Sequence, residues 1–477
     1  MPASWSWPRP ASSARWCAPT WRIWYNKTGI CGRPCLSGRA CFFMRKAEGR
    51  GVTFQKEEQE MKQARKRGAL LAGAVLLLVL LAVGGALWFR GRPTKILLAT
   101  DLHYLSPELN DHGACFEKTI LNGDGKALAY IDELTDAFVE QVIREKPAAL
   151  ILSGDLTLNG EKQSHLDLAE KLRQITKAGI PVLVIPGNHD LNSGYAVRFT
   201  GKTYEPVENL KPAQFDEVYA EFGYDGASAR DEESLSYVFP LSDELRVLMV
   251  DVNTLGSEGV LEPETLDWVK AQLEEARQAG ARVIAVSHQN LLAHSEQISA
   301  GFVMGGAEEL LALYEEYDVI CNLSGHIHMQ HTAKSENGFF EAATGSLAVS
   351  PNQYARLMVR PHRMDYQTVP VDVSGWAKEQ GSTDENLLDF AAYSADFFRQ
   401  VNRGKVIGWL QKEENGEEMA DFFAQVNLDY FQGRPDRYDR EDPMFDVWQE
   451  SGAFYADYVE SMRQEPAVNH NQATVEY

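Results

Sequence analysis

The chain has 477 residues and a net charge of −22, and its hydrophobic and charged fractions are 44% and 24%. This length allows two domains, and the two fractions are typical of a globular protein. The first 67 residues are basic, so the remainder is even more acidic than the total. An acidic protein repels phosphate backbones at long range, so we expect a small substrate and no nucleic acid.

The first 41 residues hold four of the six cysteines and five of the ten tryptophans, without a helical or strand period. No second cysteine pair follows Cys31 and Cys35 at the spacing of a zinc site. We therefore interpret residues 1–60 as disordered, or as an upstream extension that is not part of the working protein. Met44 and Met61 are both plausible starts, and Met61 is favoured.

Met61 opens a basic segment that is followed by an uncharged run, Gly68–Phe89. This pattern is typical of a secretory signal or a signal anchor with its positive flank inside. A buried core helix is a poor alternative, because soluble helices rarely lack charge over such a length. We predict a signal peptide or signal anchor over residues 61–92. The rest of the protein is then extracytoplasmic, either secreted or anchored to the outer face of the cytoplasmic membrane.

Apolar strands alternate with amphipathic helices from Lys95 onward. The predicted strands are Lys95–Thr100, Ala148–Ser153 and Pro181–Pro186, and the predicted helices are Ile131–Glu145 and Glu161–Lys177. Fully apolar strands joined through helices indicate a parallel sheet that is covered on both faces. The segment Leu191–Glu233 loses this period, and we predict an insertion with one short helix, Pro212–Phe222.

A second group of strands with antiparallel turns is predicted up to Val371. After Ser374 the pattern changes to acidic helices rich in Phe, Tyr and Trp, namely Asp384–Val401, Gly416–Gln432 and Pro443–Met462. We place a domain boundary near Val373. The expected organisation is an α/β catalytic domain over residues 93–373 and a small all-α domain over residues 374–477, whose last dozen residues form a disordered tail.

Polar residues stand directly after the predicted strands. They are Asp101, His103, Asp155, Asn188, His189, His288, His326 and His328. Ligand sites in such sheets form at the carboxyl ends of strands. Asp101 and His103 are two residues apart, as are His326 and His328, so each pair points to one side of an extended chain. We expect Asp190 to hydrogen-bond the imidazole of His189 and orient it.

These residues form an ordered set of motifs. The set consists of Asp101-Leu102-His103, Gly154-Asp155, Gly187-Asn188-His189-Asp190, His288 and Gly325-His326-Ile327-His328. In this order they resemble the calcineurin-like metallophosphoesterase superfamily, although Gln289 stands where many members have a second His. The resemblance implies a sandwich of two mixed β-sheets flanked by helices.

The resemblance also implies a two-metal site. One ion would be held by Asp101, His103, Asp155 and His328, and the other by Asp155, Asn188, His288 and His326. Oxygen and nitrogen ligands suit Fe, Mn or Zn. Two such cations would clamp the attacking and leaving oxygens of a phosphoryl displacement, with a metal-bridging hydroxide as nucleophile. His189, oriented by Asp190, would protonate the leaving oxygen or stabilise developing charge.

A closer resemblance concerns the run Trp376–Leu388 together with Asn159–Lys162 and Phe222–Tyr224. These segments resemble the extracytoplasmic bacterial branch of class III cyclic-nucleotide phosphodiesterase-like proteins, which carry a helical C-terminal domain. The implied function is a metal-dependent phosphodiesterase, with cyclic nucleotides as candidate substrates. A phosphomonoesterase or nucleotidase, an envelope phosphodiester hydrolase, and a catalytically inert membrane-tethered interaction protein remain as alternatives.

Overall fold

The computed structural model describes residues 56, 58–68, 70, 73–75, 93–255 and 258–477. Residues 58–68 are helical, so the predicted disorder of residues 1–60 does not extend to the last three of them. The remainder of that extension and most of the segment Gly68–Phe89 lie outside the described residues, and both stay predictions. Among the residues that are described, no helix is long and apolar enough to cross a membrane.

The first of two large sheets in the described chain has six strands in the order β15-β14-β13-β1-β2-β3. Its parallel half consists of β1 (Thr94–Ala99), β2 (Ala149–Ser153) and β3 (Val182–Ile185). Its antiparallel half consists of β13 (Gln353–Arg360), β14 (Arg363–Pro370) and β15 (Gln472–Glu476). Helices α1 (Ala114–Leu121) and α2 (Ile131–Glu145) follow β1, and α3 (Lys162–Lys177) follows β2. The parallel half confirms the prediction from the apolar runs.

The second sheet has seven strands in the described chain, in the order β11-β12-β10-β9-β8-β7-β6. These strands are β6 (Ala229–Arg230), β7 (Tyr237–Ser242), β8 (Leu245–Val250), β9 (Arg282–Ser287), β10 (Asn322–Ser324), β11 (His331–Lys334) and β12 (Phe340–Ala343). Strands β8, β9, β10 and β12 run parallel to one another. Helices α5 (Pro263–Ala279) and α6 (Ala307–Glu316) cover this sheet.

The two sheets pack face to face, and β8 shows why. Its Val247 and Met249 belong to the large core that also contains strands β1, β2 and β3. Its Leu248 and Val250 pack with apolar residues of α5 and α6. Because successive side chains of a strand point to opposite faces, one apolar strand serves both the interior of the sandwich and its helical cover. The implied sandwich of two mixed sheets is therefore confirmed.

The segment Leu191–Glu233 is more regular than expected. It contains the predicted short helix, α4 (Pro212–Tyr219), and also a hairpin of β4 (Val197–Thr200) and β5 (Thr203–Pro206). All four residues of β5 are exposed. A strand without a buried face has no alternation of apolar and polar residues, so the sequence pattern could not reveal this hairpin.

The C-terminal region is helical, as predicted, up to residue 464. Its helices are α7 (Val373–Glu379), α8 (Glu385–Leu388), α9 (Phe390–Ile407), α10 (Gly416–Phe431), α11 (Pro443–Ser451) and α12 (Ala456–Gln464). Gly452, with a φ of 59°, ends α11 and divides the predicted helix Pro443–Met462. Residues from 93 onward form one compact unit, and the domain boundary near Val373 stays a prediction.

The prediction of a disordered C-terminal tail is wrong. Residues Gln472–Glu476 form β15, which pairs antiparallel with β14 and places Val475 opposite Met364. Val475 is buried, whereas Gln472 and Thr474 are exposed. A five-residue strand with one buried side chain is too short to show a period in the sequence.

We expect Val475→Ala to lower the free energy of unfolding by about 1–2 kcal/mol, because it removes two buried methyl groups from the sheet. Urea denaturation of the purified protein measures this change. Gln472→Ala, on the same strand but exposed, should shift the unfolding free energy by less than about 0.5 kcal/mol. Equal stability of Val475→Ala and the unmodified protein would contradict the role of β15.

Candidate metal centre

Five of the predicted site residues adopt left-handed backbone conformations just beyond their strands. Their φ angles are 51° at Asp101, 46° at His103, 47° at Asp155, 67° at His326 and 61° at His328. Non-glycine residues rarely adopt positive φ, and such strain concentrates at functional sites. The paired residues therefore converge through sharp turns, and the predicted reason, alternation along an extended chain, is wrong.

Two buried carboxylates and two imidazoles form the first cluster of possible ligands, namely Asp101, His103, Asp155 and His328. The Nε2 atom of His328 lies 3.2 Å from Asp101 Oδ1 and 3.0 Å from His103 Nε2. His103 Nε2 lies 3.8 Å from Asp155 Oδ2. The structure therefore brings together the four residues that the resemblance assigned to one ion.

Asp155 also belongs to the second cluster, with His288 and His326. Its Oδ1 atom lies 3.3 Å from His288 Nε2, whereas its Oδ2 atom faces His103. The side-chain oxygen of Asn188 lies 3.0 Å from His288 Nε2. The carboxylate of Asp155 therefore stands between the two clusters, as the sequence implied.

Two glycines allow this close packing. Gly154 has a φ of 92°, and a Cβ atom there would lie 2.6 Å from His288 Nδ1. A Cβ atom on Gly325 would collide with the hydroxyl of Thr100 and the carboxylate of Asp101. Larger residues at these positions would push ligand side chains apart, which explains why glycine stands in both motifs.

His189 lies outside both clusters and is held by its Nδ1 atom. This atom is 2.9 Å from the carbonyl oxygen of Leu158 and 3.1 Å from Asn159 Oδ1. The ring of His189 packs edge-on against that of His103, with 5.1 Å between their centroids. A proton on Nδ1 that is donated to these oxygens leaves Nε2 free to exchange a proton with a substrate.

The expectation that Asp190 orients His189 is wrong. Asp190 is fully buried and accepts hydrogen bonds from the backbone N–H groups of Gly187, Leu156 and Thr157 at 2.8, 3.0 and 2.9 Å. A buried carboxylate must be satisfied by donors, and these three come from the loops that follow β2 and β3. Asp190 therefore fixes the two loops to each other. The side chain of Asn159 orients His189, which is the role predicted for Asp190.

The carboxylate that orients a ligand histidine is Asp124, which sequence reasoning missed. Its Oδ2 atom lies 2.9 Å from His328 Nδ1 and 2.9 Å from Lys126 Nζ. Carboxylates in this position fix the tautomer and ring orientation of metal-binding histidines. Asp124 lies in a glycine-rich loop and follows no strand, so neither spacing nor strand position could indicate it.

The outer nitrogens of two further histidines are bound by backbone carbonyl groups. Nδ1 of His288 lies 2.8 Å from the oxygen of Ser153, and Nε2 of His326 lies 3.0 Å from the oxygen of Gly301. The inner nitrogens, Nε2 of His288 and Nδ1 of His326, are thereby left for a cation.

The charges of the site depend on each other. Burial alone would lower the pKa of His288 and His328, but the carboxylates of Asp155 and Asp101 respectively raise each pKa to about 9. Burial also opposes the ionised form of Asp101, yet His328 holds its pKa well below the usual range. In the metal-free protein, two imidazolium ions therefore neutralise the carboxylates.

The arrangement fits a pair of cations. Among the described residues, the buried Oδ1 atom of Asp101 accepts no well-aligned hydrogen bond, and its charged neighbour is His328 Nε2 at 3.2 Å. The Nε2 atoms of His103 and His328 face each other at 3.0 Å, and once His328 has lost its proton a cation would satisfy both lone pairs. Mixed carboxylate, amide and imidazole donors with no thiolate match Fe, Mn or Zn in a hydrolytic site.

Two family descriptions match this chain. Residues 94–330 match the calcineurin-like phosphoesterase family, so the protein carries a metallophosphoesterase domain that spans every residue of the two clusters. Residues 372–469 match the C-terminal domain of cyclic nucleotide phosphodiesterase. The resemblance of the motifs to calcineurin-like phosphoesterases, and of the C-terminal region to cyclic nucleotide phosphodiesterases, is thereby confirmed. No curated protein matches the chain.

Three solved structures are similar at low identity. A dimetal phosphatase from Danio rerio is 14% identical with a TM-score of 0.44, and the match covers 58% of this chain and 96% of that one. GAP50, the anchor in the inner membrane complex of Plasmodium, is 13% identical with a TM-score of 0.36, and the match covers 59% of this chain and 85% of that one. Purple acid phosphatase PPD1 from yellow lupin is 15% identical with a TM-score of 0.37, and the match covers 59% of this chain and 52% of that one.

The position of Asp155 between the clusters predicts a distinctive metal stoichiometry. We expect Asp155→Asn to weaken both sites, whereas Asp101→Asn weakens one. Metal content per chain, measured by plasma mass spectrometry after reloading and desalting, should fall below one for the first variant and to about one for the second. Asp243→Asn, in an exposed turn, should retain the metal content of the unmodified protein. Two ions in Asp155→Asn would contradict the shared ligand.

Metal binding should also depend on pH. His288 and His328, each with a pKa of about 9 in the metal-free protein, must lose their protons before Nε2 can bind a cation. Affinity should therefore rise with pH between 7 and 9, by about tenfold per unit for each proton released. Calorimetric titrations in buffers of different ionisation enthalpy measure the protons released. An equal number at pH 7 and pH 9.5 would contradict this assignment.

Proposed function

We propose that this protein is a metal-dependent phosphodiesterase. The observation that carries the proposal is the pair of ligand clusters that share Asp155, with the imidazole of His189 beside them but outside both. A pair of cations serves phosphoryl transfer by clamping the attacking and leaving oxygens. A phosphodiester is favoured over a monoester by the match of residues 372–469 to the C-terminal domain of cyclic nucleotide phosphodiesterase.

The residues of the candidate site fall into two groups, those that would bind the cations and those that would transfer a proton. Asp101, His103, Asp155 and His328 would hold one cation, and Asp155, Asn188, His288 and His326 the other. Bound there, the ions would supply Lewis acidity and lower the pKa of a water molecule. Asp124, Ser153 and Gly301 keep the ligand imidazoles in the tautomers that a cation requires. We retain Fe, Mn and Zn as candidate ions.

His189 is the candidate general acid. Leu158 and Asn159 hold Nδ1, so the ring presents Nε2 at a fixed orientation. Protonation of the leaving alkoxide by such a group contributes about 10²–10⁴-fold to the rate. Asp190 has no direct part in this step, because its oxygens are occupied by backbone N–H groups.

The test compares His189→Ala with the unmodified protein, both stripped of metal and reloaded with Mn, Fe or Zn. The substrates are bis-(p-nitrophenyl) phosphate, p-nitrophenyl phosphate and cyclic AMP. We expect metal-dependent cleavage of bis-(p-nitrophenyl) phosphate. The general-acid role predicts a loss of kcat of about 10²–10⁴-fold in His189→Ala on cyclic AMP, whose leaving group is an alkoxide, at unchanged metal content. The loss on the nitrophenyl diester should be smaller, because p-nitrophenolate leaves without protonation. His362→Ala, which changes an exposed histidine, should keep full activity.

The alternatives make different predictions in the same assay. Faster turnover of the monoester would identify a phosphatase or nucleotidase, and two bound ions without turnover of any substrate would favour an inert interaction protein. An extracytoplasmic location stays a prediction. If it holds, intracellular cyclic nucleotides would not reach the site, and envelope phosphodiesters would become the stronger substrate candidates.

A further inference from the structure

An apolar cavity of about 480 Å³ adjoins the candidate metal centre. It lies between helix α1, the loop that carries Asp124 and Lys126, and the β4–β5 hairpin. Its walls include Leu128, Val197, Phe199 and Tyr204. A volume of this size is typical of a small-molecule site.

The cavity reaches the reaction centre through residues that already have a role there. Asp124 lines the cavity and contacts His328. Leu158 and Asn159 line it as well, and both hold His189. One wall of the cavity is therefore formed by the direct neighbours of a candidate ligand and of the candidate general acid.

A second cavity, of about 490 Å³, lies on the other side of Asn159 and Tyr195, which line both. Its lining is polar and includes Asn188, His189 and Asn253. A phosphodiester carries two alcohol groups on one phosphorus atom. Two adjoining cavities of opposite polarity beside one reaction centre match a diester with two chemically different alcohols.

The walls of the apolar cavity favour a flat ring over an alkyl chain. Tyr195 and Tyr204 line the cavity and are 78% and 59% exposed, so much of each side chain is in contact with water. Aromatic faces of this kind stack on planar rings. Lys126 contributes a mostly buried cation to the same wall, next to Asp124. A cation there can bind a ring that carries hydrogen-bond acceptors.

We infer that the apolar cavity binds an aromatic group on one alcohol of the phosphodiester, and that the polar cavity receives the other alcohol. This inference rests on the proposed function. The β4–β5 hairpin and Tyr195 then determine substrate specificity without contacting the metal ions. The ligand class is a phosphate or phosphonate monoanion that bears an aromatic ring.

The test measures binding, so that it does not depend on turnover. Calorimetry of the full chain, loaded with metal, compares monomethyl phenylphosphonate with monomethyl propylphosphonate, which have the same charge. We expect the phenyl compound to bind at least tenfold more tightly. Tyr204→Ala and Tyr195→Ala should each reduce this preference to less than threefold and leave the affinity for the propyl compound within twofold.

Phe454→Ala is the matched control, because Phe454 is an equally exposed aromatic residue outside the cavity. It should preserve the preference. Equal affinity for the two phosphonates, or an unchanged preference in both tyrosine variants, would overturn the inference. Turnover of bis-(p-nitrophenyl) phosphate is assayed on the same samples. A ring preference without turnover would overturn only the proposed function, and turnover without a ring preference would overturn only this inference.

Discussion

The carboxylate of Asp155 is the constraint on which the rest of the site depends. It is buried at the carboxyl end of β2, with one oxygen facing His103 and the other facing His288. A buried charge is tolerated only with compensating partners, and here the imidazolium of His288, or a cation on each side, supplies the compensation. The backbone of Asp155 is also left-handed. The two-sheet sandwich therefore places one strained, charged residue where both candidate ions require it.

Sequence reasoning succeeded where the physics was local. The apolar runs of β1, β2 and β3 are buried on both faces, and their hydrophobicity marks them without ambiguity. The motif residues lie directly after such strands. Because ligand sites form at the carboxyl ends of strands, this position predicted that the residues would converge in space. The reason offered for Asp101 and His103 was nevertheless wrong, because a pattern of residue types does not show a change of φ.

What the sequence could not supply depends on distant partners. Asp124 reaches His328 across more than two hundred positions of the chain, and no spacing rule connects them. Asp190 is next to His189 in the sequence, which suggested that it would bind the imidazole. In the structure its carboxylate accepts hydrogen bonds from backbone N–H groups instead. The hairpin of β4 and β5 has too little buried surface to show a period. The sequence could not predict the apolar cavity either, because part of its wall is formed by this hairpin.

Strand β15 has a consequence for the order in which the protein can be completed during synthesis. It covers the edge of β14, which otherwise presents a row of unpaired backbone groups. More than one hundred positions separate the two strands, so every other strand of the two large sheets is synthesised well before residues 472–476. Until then, β14 remains open to pairing with another nascent chain. The helical region between β14 and β15 therefore sets the delay between the synthesis of this edge and the synthesis of the strand that covers it.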